Sequence, residues 1–331
     1  MDFIDWQVQA GASKPQDLVS ASQRYFDCNK HKLYCFGDLR KYLASLNRPA
    51  VLEVLGHAAK SVESAENGQG TISPSKGVPE INSLKLDYCF LLSSAEHTPS
   101  KEEVEKFVVR CLQAYKRAER PSIDKEKTEA SSTIESQPSD DLCLLASMAL
   151  VRFSGTWNNG NQKVNSDAAL IRAAAILERL LLDSPHNYQA LLLLVRIYLL
   201  LGAGSVALTT FSKLSVKQLQ YETVAHNLFT RLATIHPHSA PPIEGAEYKD
   251  FNPQSAFVQA LNFYRAANVS TLRNRTGGLD QGSFVNVQGC IEFQERLNDS
   301  ICRRMWALDI RRMQRLVGGD PTSRYDDLGW F

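Results

Sequence analysis

Apolar residues recur along this chain at intervals of three and four, the spacing that gathers them on one stripe of an α-helix. Leu18, Ser22, Tyr25 and Phe26 follow it, as do Leu39, Tyr42, Leu43 and Leu46, with Arg48-Pro49 predicted to end that element. Leu52, Leu55, His57 and Ala59 carry the theme on, and it resumes at Leu84, Tyr88, Leu91 and Leu92. Ser100-Lys-Glu-Glu103 then reads as a capping box, the Ser oxygen placed to accept from the third helical N–H. The helix it opens carries Val104, Phe107, Val108, Cys111, Leu112 and Tyr115. Val216 to Ile235 is predicted as one helix stopped by Pro237, Pro241 and Pro242; Phe257, Leu261 and Tyr264 mark the next. Ile291, Leu297, Ile301, Leu308 and Leu316 predict one long final helix from Gly289 to Val317. Only Phe284-Val285-Asn286-Val287 reads as briefly extended, so the expected class is all-α.

The interruptions divide the chain. Ser64 to Pro79 is rich in Gly, Ser and Asn and is expected to be a loop, and Thr271 to Ser283, with Gly277-Gly278 inside it, another. Glu119 to Asp140 is charged and Ser-rich, with only Ile123 and Ile134 to bury, and is expected to be a disordered linker. The organisation that follows is an N-terminal helical block over 1–118 with a loop at 64–79, a linker at 119–140, a second helical block at 141–318 and a tail at 319–331.

The second block contains a repeat. Tetratricopeptide units of about 34 residues place a large residue, a Leu and an aromatic on helix A, then Ala and a large residue on helix B. With Tyr188 as position one, Leu191, Leu194 and Tyr198 fall on helix A, Gly202 in the turn, and Ala207, Phe211 and Leu214 on helix B. One unit earlier, Ala173, Leu177 and Leu180 take the helix B slots and Pro185 closes the unit. Small residues at Ala173 and Ala207 let paired helices approach, while Tyr198 and Phe211 fill the space beside them. The preceding helix A is displaced: Ser154 to Asn165 is polar, so Asp141 to Phe153 must serve as the partner. The expected architecture is a tetratricopeptide-like α-solenoid, a right-handed superhelix of helix-turn-helix repeats.

Composition fits a folded chain, with 44% hydrophobic residues among 331. Thirty-seven Lys and Arg balance thirty-six Asp and Glu, so no global field draws it to DNA or an anionic membrane, and any such binding requires a local patch. The apolar stretch Ala190 to Gly202 carries Arg196 and is predicted to be a buried helix, not a membrane span. Seven cysteines without a CxxC pair read as reduced thiols, and the acidic start Met1-Asp2-Phe3-Ile4-Asp5-Trp6 lacks a signal-peptide pattern, so a cytoplasmic location is expected.

No catalytic constellation is legible: the GxSxG, HExxH and GxxxxGK patterns are missing from the sequence. Leu201-Gly202-Ala203-Gly204 follows a helix rather than a strand and reads as an inter-helix turn, so no cofactor is expected. His226, His236 and His238 lack a carboxylate or Cys at ligand spacing, so no metal is expected either, and Cys28 and Cys35, which flank His31, read as small core residues on helices rather than as a reactive thiol. Arg303, Arg304, Arg311, Arg312 and Arg315 cluster near the C-terminus, with Arg304, Arg311 and Arg315 on one helical face. They read either as a solvated face paired with Glu292, Glu295, Asp299 and Asp309 or as a phosphate-contacting patch.

Two stretches carry a family likeness. Tyr25-Phe26, followed by Lys32-Leu-Tyr-Cys35-Phe36-Gly-Asp38-Leu39-Arg40-Lys41-Tyr42-Leu43, resembles the auxiliary, non-catalytic subunit of the N-terminal acetyltransferase B complex. The segment from Leu191 through Leu194, Arg196 and Tyr198 to Gly202, continued by Leu214 to Thr223, is similar to it again, with weaker support from Asp5-Trp6-Gln7 and Ile291 to Leu297. The resemblance implies a scaffold that wraps a separate catalytic subunit, contributes no catalytic residue and aids ribosome association during acetylation of Met-Asp, Met-Glu, Met-Asn and Met-Gln N-termini. Under it, Phe36, Asp38, Leu39 and Tyr42, and Leu194, Arg196, Tyr198, Gly202, Ala207 and Phe211, are expected to be structural. Members of that family are longer, so a shortened member with an exposed apolar end is expected. The alternative is a tetratricopeptide adaptor unrelated to acetylation, holding a peptide in its groove.

Overall fold

The computed structural model describes residues 1–66, 77–94, 98–118, 137–156, 166–240 and 252–318. Among them are fifteen α-helices and no β-strand, and the chain divides into two compact units, Met1–Ala190 and Leu191–Phe331. The expected all-α class holds. The division between these units falls at 190/191, within one helix, and of the expected linker 119–140 residues 119–136 lie outside the described residues.

The first unit begins with α1 (Asp2–Gln9), α2 (Pro15–Asn29), α3 (Cys35–Leu43) and α4 (Arg48–Glu66). Arg48-Pro49 starts a helix instead of ending one: Pro49 sits in the first turn, where its missing N–H has no intrahelical partner to lose. Val19, Phe26, Leu39, Leu43 and Val54 interlock as one buried cluster with Leu86 of α5 (Val78–Asp87). Because α4 runs to Glu66 and α5 starts at Val78, the expected loop 64–79 is shorter at both ends, and 67–76 lies outside the described residues.

A π-helical turn, Tyr88–Leu92, follows α5. Its carbonyl at Leu92, with that of Ser94, accepts from the Arg152 guanidinium at 2.8 Å each, which satisfies a terminus that helical bonds leave open. Helix α6 (Lys101–Arg117) starts at the capping box: Glu103 N–H donates to Ser100 Oγ and Ser100 N–H to the Glu103 carboxylate. Its buried face of Val104, Phe107, Val108 and Cys111 packs on α7 (Asp140–Thr156), which packs in turn on α8 (Ser166–Asp183).

Helix α9 (Tyr188–Leu200) crosses the division, and the second unit continues with α10 (Gly204–Ser212), α11 (Gln220–Val224) and α12 (His226–Ile235). The single helix expected over 216–235 is split, with Ser215 and Gln218 at positive φ and α12 starting afresh at His226. Helix α13 (Pro253–Asp280) runs through the segment expected as a loop at 271–283. Gly278 is the reason: it is buried, and an added Cβ would lie 3.1 Å from Val287 Cγ2 of α14 (Phe284–Asn298). The glycine permits close packing of two helices instead of breaking one. Phe284 to Val287, expected to be extended, forms the first turn of α14.

The expected final helix 289–317 is two helices, α14 and α15 (Ile301–Val317). Ser300 interrupts it, its hydroxyl accepting from Arg303 N–H at 3.1 Å as an N-cap. Phe211, Phe229, Phe257 and Trp306 fill the core of this unit, the Phe229 ring lying 4.4 Å from Phe257 and 5.1 Å from Trp306.

Candidate functional site

On α3 the structure brings the first motif's residues together as fasteners. Leu39 is fully buried, while the Asp38 carboxylate accepts from Tyr25 Oη of α2 at 2.5 Å. Tyr42 Oη donates to Asp2 Oδ1 of α1 at 2.9 Å, and Lys41 Nζ reaches the same oxygen at 2.8 Å. Lys85 of α5 stands 5.9 Å from the Phe36 ring centre and pairs with Asp141 of α7 at 2.6 Å. Neighbouring helices α1, α2 and α5 therefore converge on one nine-residue helix. Cys35 is enclosed here, and burial pushes its thiol up to about 11, which keeps it protonated and unreactive at neutral pH.

The second motif lies in the other unit. Leu194, Ala207 and Phe211 are buried, and Tyr198 packs beside them half-exposed. Gly202 takes φ +77° in the turn from α9 to α10. Gly204 is the closer contact, because a Cβ there would lie 3.1 Å from His236 Cβ and 3.3 Å from Leu232 Cδ1. The GxG spacing is thus one glycine for a left-handed turn and one for helix packing. Arg196 points from the exposed face of α9, so that helix is buried on one side only, and no described helix is long and apolar enough to cross a membrane.

A polar cluster that sequence reasoning missed lies between α11, α13 and α15. The buried Tyr264 hydroxyl donates to Glu222, and Ser300 Oγ lies 2.9 Å from both Glu222 oxygens and 3.1 Å from Tyr264 Oη. Burial and the Glu222 bond raise the Tyr264 phenol above its ordinary range. Ser, Tyr and Glu suit acid–base chemistry, yet Ser300 also accepts from the backbone as the α15 N-cap. The cluster has the form of a partly buried clamp. Among the described residues no three His, Cys, Asp or Glu side chains converge as a metal site, and His226, His236 and His238 do not assemble one.

Helix α15 presents two faces. Trp306, Ile310 and Met313 enter the core. On the other side Ile301 is 72% and Leu308 56% exposed, with Met305 between them and Leu316 further along. Arg304 and Arg315 are exposed along this stripe, Arg311 is half-buried beside it, and Arg312 is exposed. Arg303 is half-buried and donates to Asn298 Oδ1 at 3.0 Å, and burial lowers its pKa. Arg304 reaches Asp299 at 3.6 Å, an exposed pair of small energetic weight. The face therefore combines apolar area with a row of guanidinium groups, a composition suited to macromolecular contact.

Comparison with known proteins matches residues 4–329 to the family described as the N-acetyltransferase B complex (NatB) non catalytic subunit. The chain is 25% identical over 313 residues to the N-terminal acetyltransferase B complex subunit arm1 of Schizosaccharomyces pombe, covering 94% of this chain and 35% of that protein. It is 30% identical over 167 residues to the human N-alpha-acetyltransferase 25, NatB auxiliary subunit, covering 50% of this chain and 15% of the relative. A solved chain of the NatB acetyltransferase complex bound to a bisubstrate inhibitor aligns at TM-score 0.44 and 16% identity, over 93% of this chain and 42% of that one. The chain thus spans about a third of its fission-yeast relative and 15% of its human one, and because the family match runs through both units, it belongs to the family of non-catalytic subunits of the N-acetyltransferase B complex.

Proposed function

We propose that this chain is a non-catalytic scaffold segment that holds the catalytic acetyltransferase subunit of NatB and helps it engage ribosomes in the cytoplasm. Under this reading the complex acetylates nascent chains that begin Met-Asp, Met-Glu, Met-Asn or Met-Gln, and this chain supplies surface rather than chemistry. The observation that carries it is the family match over residues 4–329, which includes both motif stretches. The internal architecture agrees: the motif side chains on α3 fasten helices to one another, as expected of a scaffold whose outer faces do the binding.

The α15 face supports the ribosome part of this reading. Guanidinium groups contact phosphate in pairs of hydrogen bonds, and each phosphate neutralised makes binding weaker as salt rises. Co-expression with the catalytic subunit, followed by co-purification and acetyl transfer to a Met-Asp peptide, tests the scaffold assignment. Charge reversal of Arg304, Arg311 and Arg315 tests the ribosome assignment: salt-dependent co-sedimentation is expected to weaken, and unchanged co-sedimentation would overturn it.

A further inference from the structure

Within the second unit, α13 and α14 diverge around a groove of about 960 Å³ that reaches Gln218 and Leu219 ahead of α11. Its charge is one-sided. Arg273 is the one charged residue among those lining it, and that guanidinium has no hydrogen-bond or ion-pair partner among the described residues. Asn274, Gln281 and Asn286 add side-chain amides, each able to donate and accept and each without a partner among the described residues.

The floor of the groove is built from residues that local energetics disfavour. Gly277 and Gly289 lie inside helices, where glycine costs about 1 kcal/mol relative to alanine. Gly278 has a packing reason in Val287; these two do not, because a Cβ added at either would meet nothing within 4 Å. Both line the groove, so a side chain there would fill it without disturbing the protein's own packing. Bare backbone at a groove floor lets another backbone approach closely.

We propose that this groove binds an extended peptide segment carrying a carboxylate. The amides pair with the peptide's main chain, whose N–H and C=O groups are unsatisfied when extended, and Arg273 receives the acidic group as a charge-assisted pair. A helical occupant would leave the amides without main-chain partners. The site is independent of the α15 face and of the catalytic-subunit assignment, so either can fail without the other.

The test uses the full chain and a fluorescein-labelled pool of short, C-terminally amidated peptides made from Asp, Gly, Ala and Leu, with a matched amidated pool carrying Asn for Asp, so that the Asp side chain supplies the carboxylate. Saturable fluorescence polarisation is expected with the Asp pool and several-fold weaker binding with the Asn pool. Gly277→Leu with Gly289→Leu should weaken binding by about tenfold or more while leaving thermal stability equal or higher. Cys290, a free thiol in the same groove, should be alkylated more slowly when the Asp pool is bound. No saturable binding to the Asp pool, or binding that survives the leucine pair, overturns the proposal. If the leucine variant does not fold, Arg273→Glu decides: loss of Asp-pool binding supports the site, and undiminished binding overturns it.

Discussion

Tyr25 Oη and the Asp38 carboxylate meet at 2.5 Å, tying the middle of α2 to the first turn of α3. The Asp38 bond, with desolvation adding to it, holds the Tyr25 phenol well above its ordinary pKa. A group whose folded pKa is raised contributes stability below its unfolded pKa, and that contribution is lost as pH rises through the folded value. Tyr25→Phe should therefore cost about 1 kcal/mol at neutral pH, with the difference from the parent constant up to about pH 10 and shrinking only above it. Urea denaturation at a series of pH values checks this.

Asp87 is a buried acid with one close cation. Desolvation raises its carboxyl despite Arg110 Nη1 at 3.1 Å, so the folded state binds its proton more tightly than the unfolded chain. Stability from this group is present below the unfolded pKa and falls as pH rises through the folded one. Asp87→Asn, which keeps an acceptor for Arg110, should leave stability unchanged or raise it by about 1 kcal/mol at pH 7, with the gain disappearing near pH 4. Arg110→Ala strands the charge and should cost about 2 kcal/mol at pH 7. Paired thermal melts at the two pH values distinguish these outcomes.

The adjacent glycines of α13 should respond with opposite signs. Gly277→Ala gains helix propensity in open space and should stabilise by about 0.8 kcal/mol. At Gly278 the new methyl would press on Val287, a β-branched side chain with little rotamer freedom, and the strain should exceed the gain for a net loss of about 1 kcal/mol. Equal effects in chemical denaturation would contradict the packing described for α13 and α14.

These glycines also show why the sequence was only partly legible. Signals contained within one turn could be read directly: the Ser100–Glu103 box and the turn at Gly202 each depend on neighbours a few residues away. Gly277-Gly278 read as a break because its meaning lies in Val287 on the following helix. Ser300 carried an N-cap residue type, but the apolar period runs through it from Leu297 to Ile301 and hid the junction. The Glu222, Tyr264 and Ser300 cluster joins positions separated by 42 and 78 residues, which no local pattern relates. The family motifs were recognisable, yet nothing in their spacing showed that Asp38 and Tyr42 would bind different helices.

Ser300 holds two tasks, capping α15 and bonding Glu222. Ser300→Ala removes both the cap and a bond to the half-buried Glu222 carboxylate, for an expected loss of about 2 kcal/mol. Because α15 carries the arginine row, slower hydrogen exchange in the parent than in the variant is expected over 301–305. Equal exchange there would contradict the capping role.

The scaffold assignment stands most directly on one measurement: co-expression with the cognate catalytic NatB subunit, purification through a tag on this chain, and acetyl transfer to a Met-Asp peptide. The account predicts that the two chains co-purify and that the complex acetylates the peptide while this chain alone does not. A folded chain that retains no catalytic subunit through purification would contradict it.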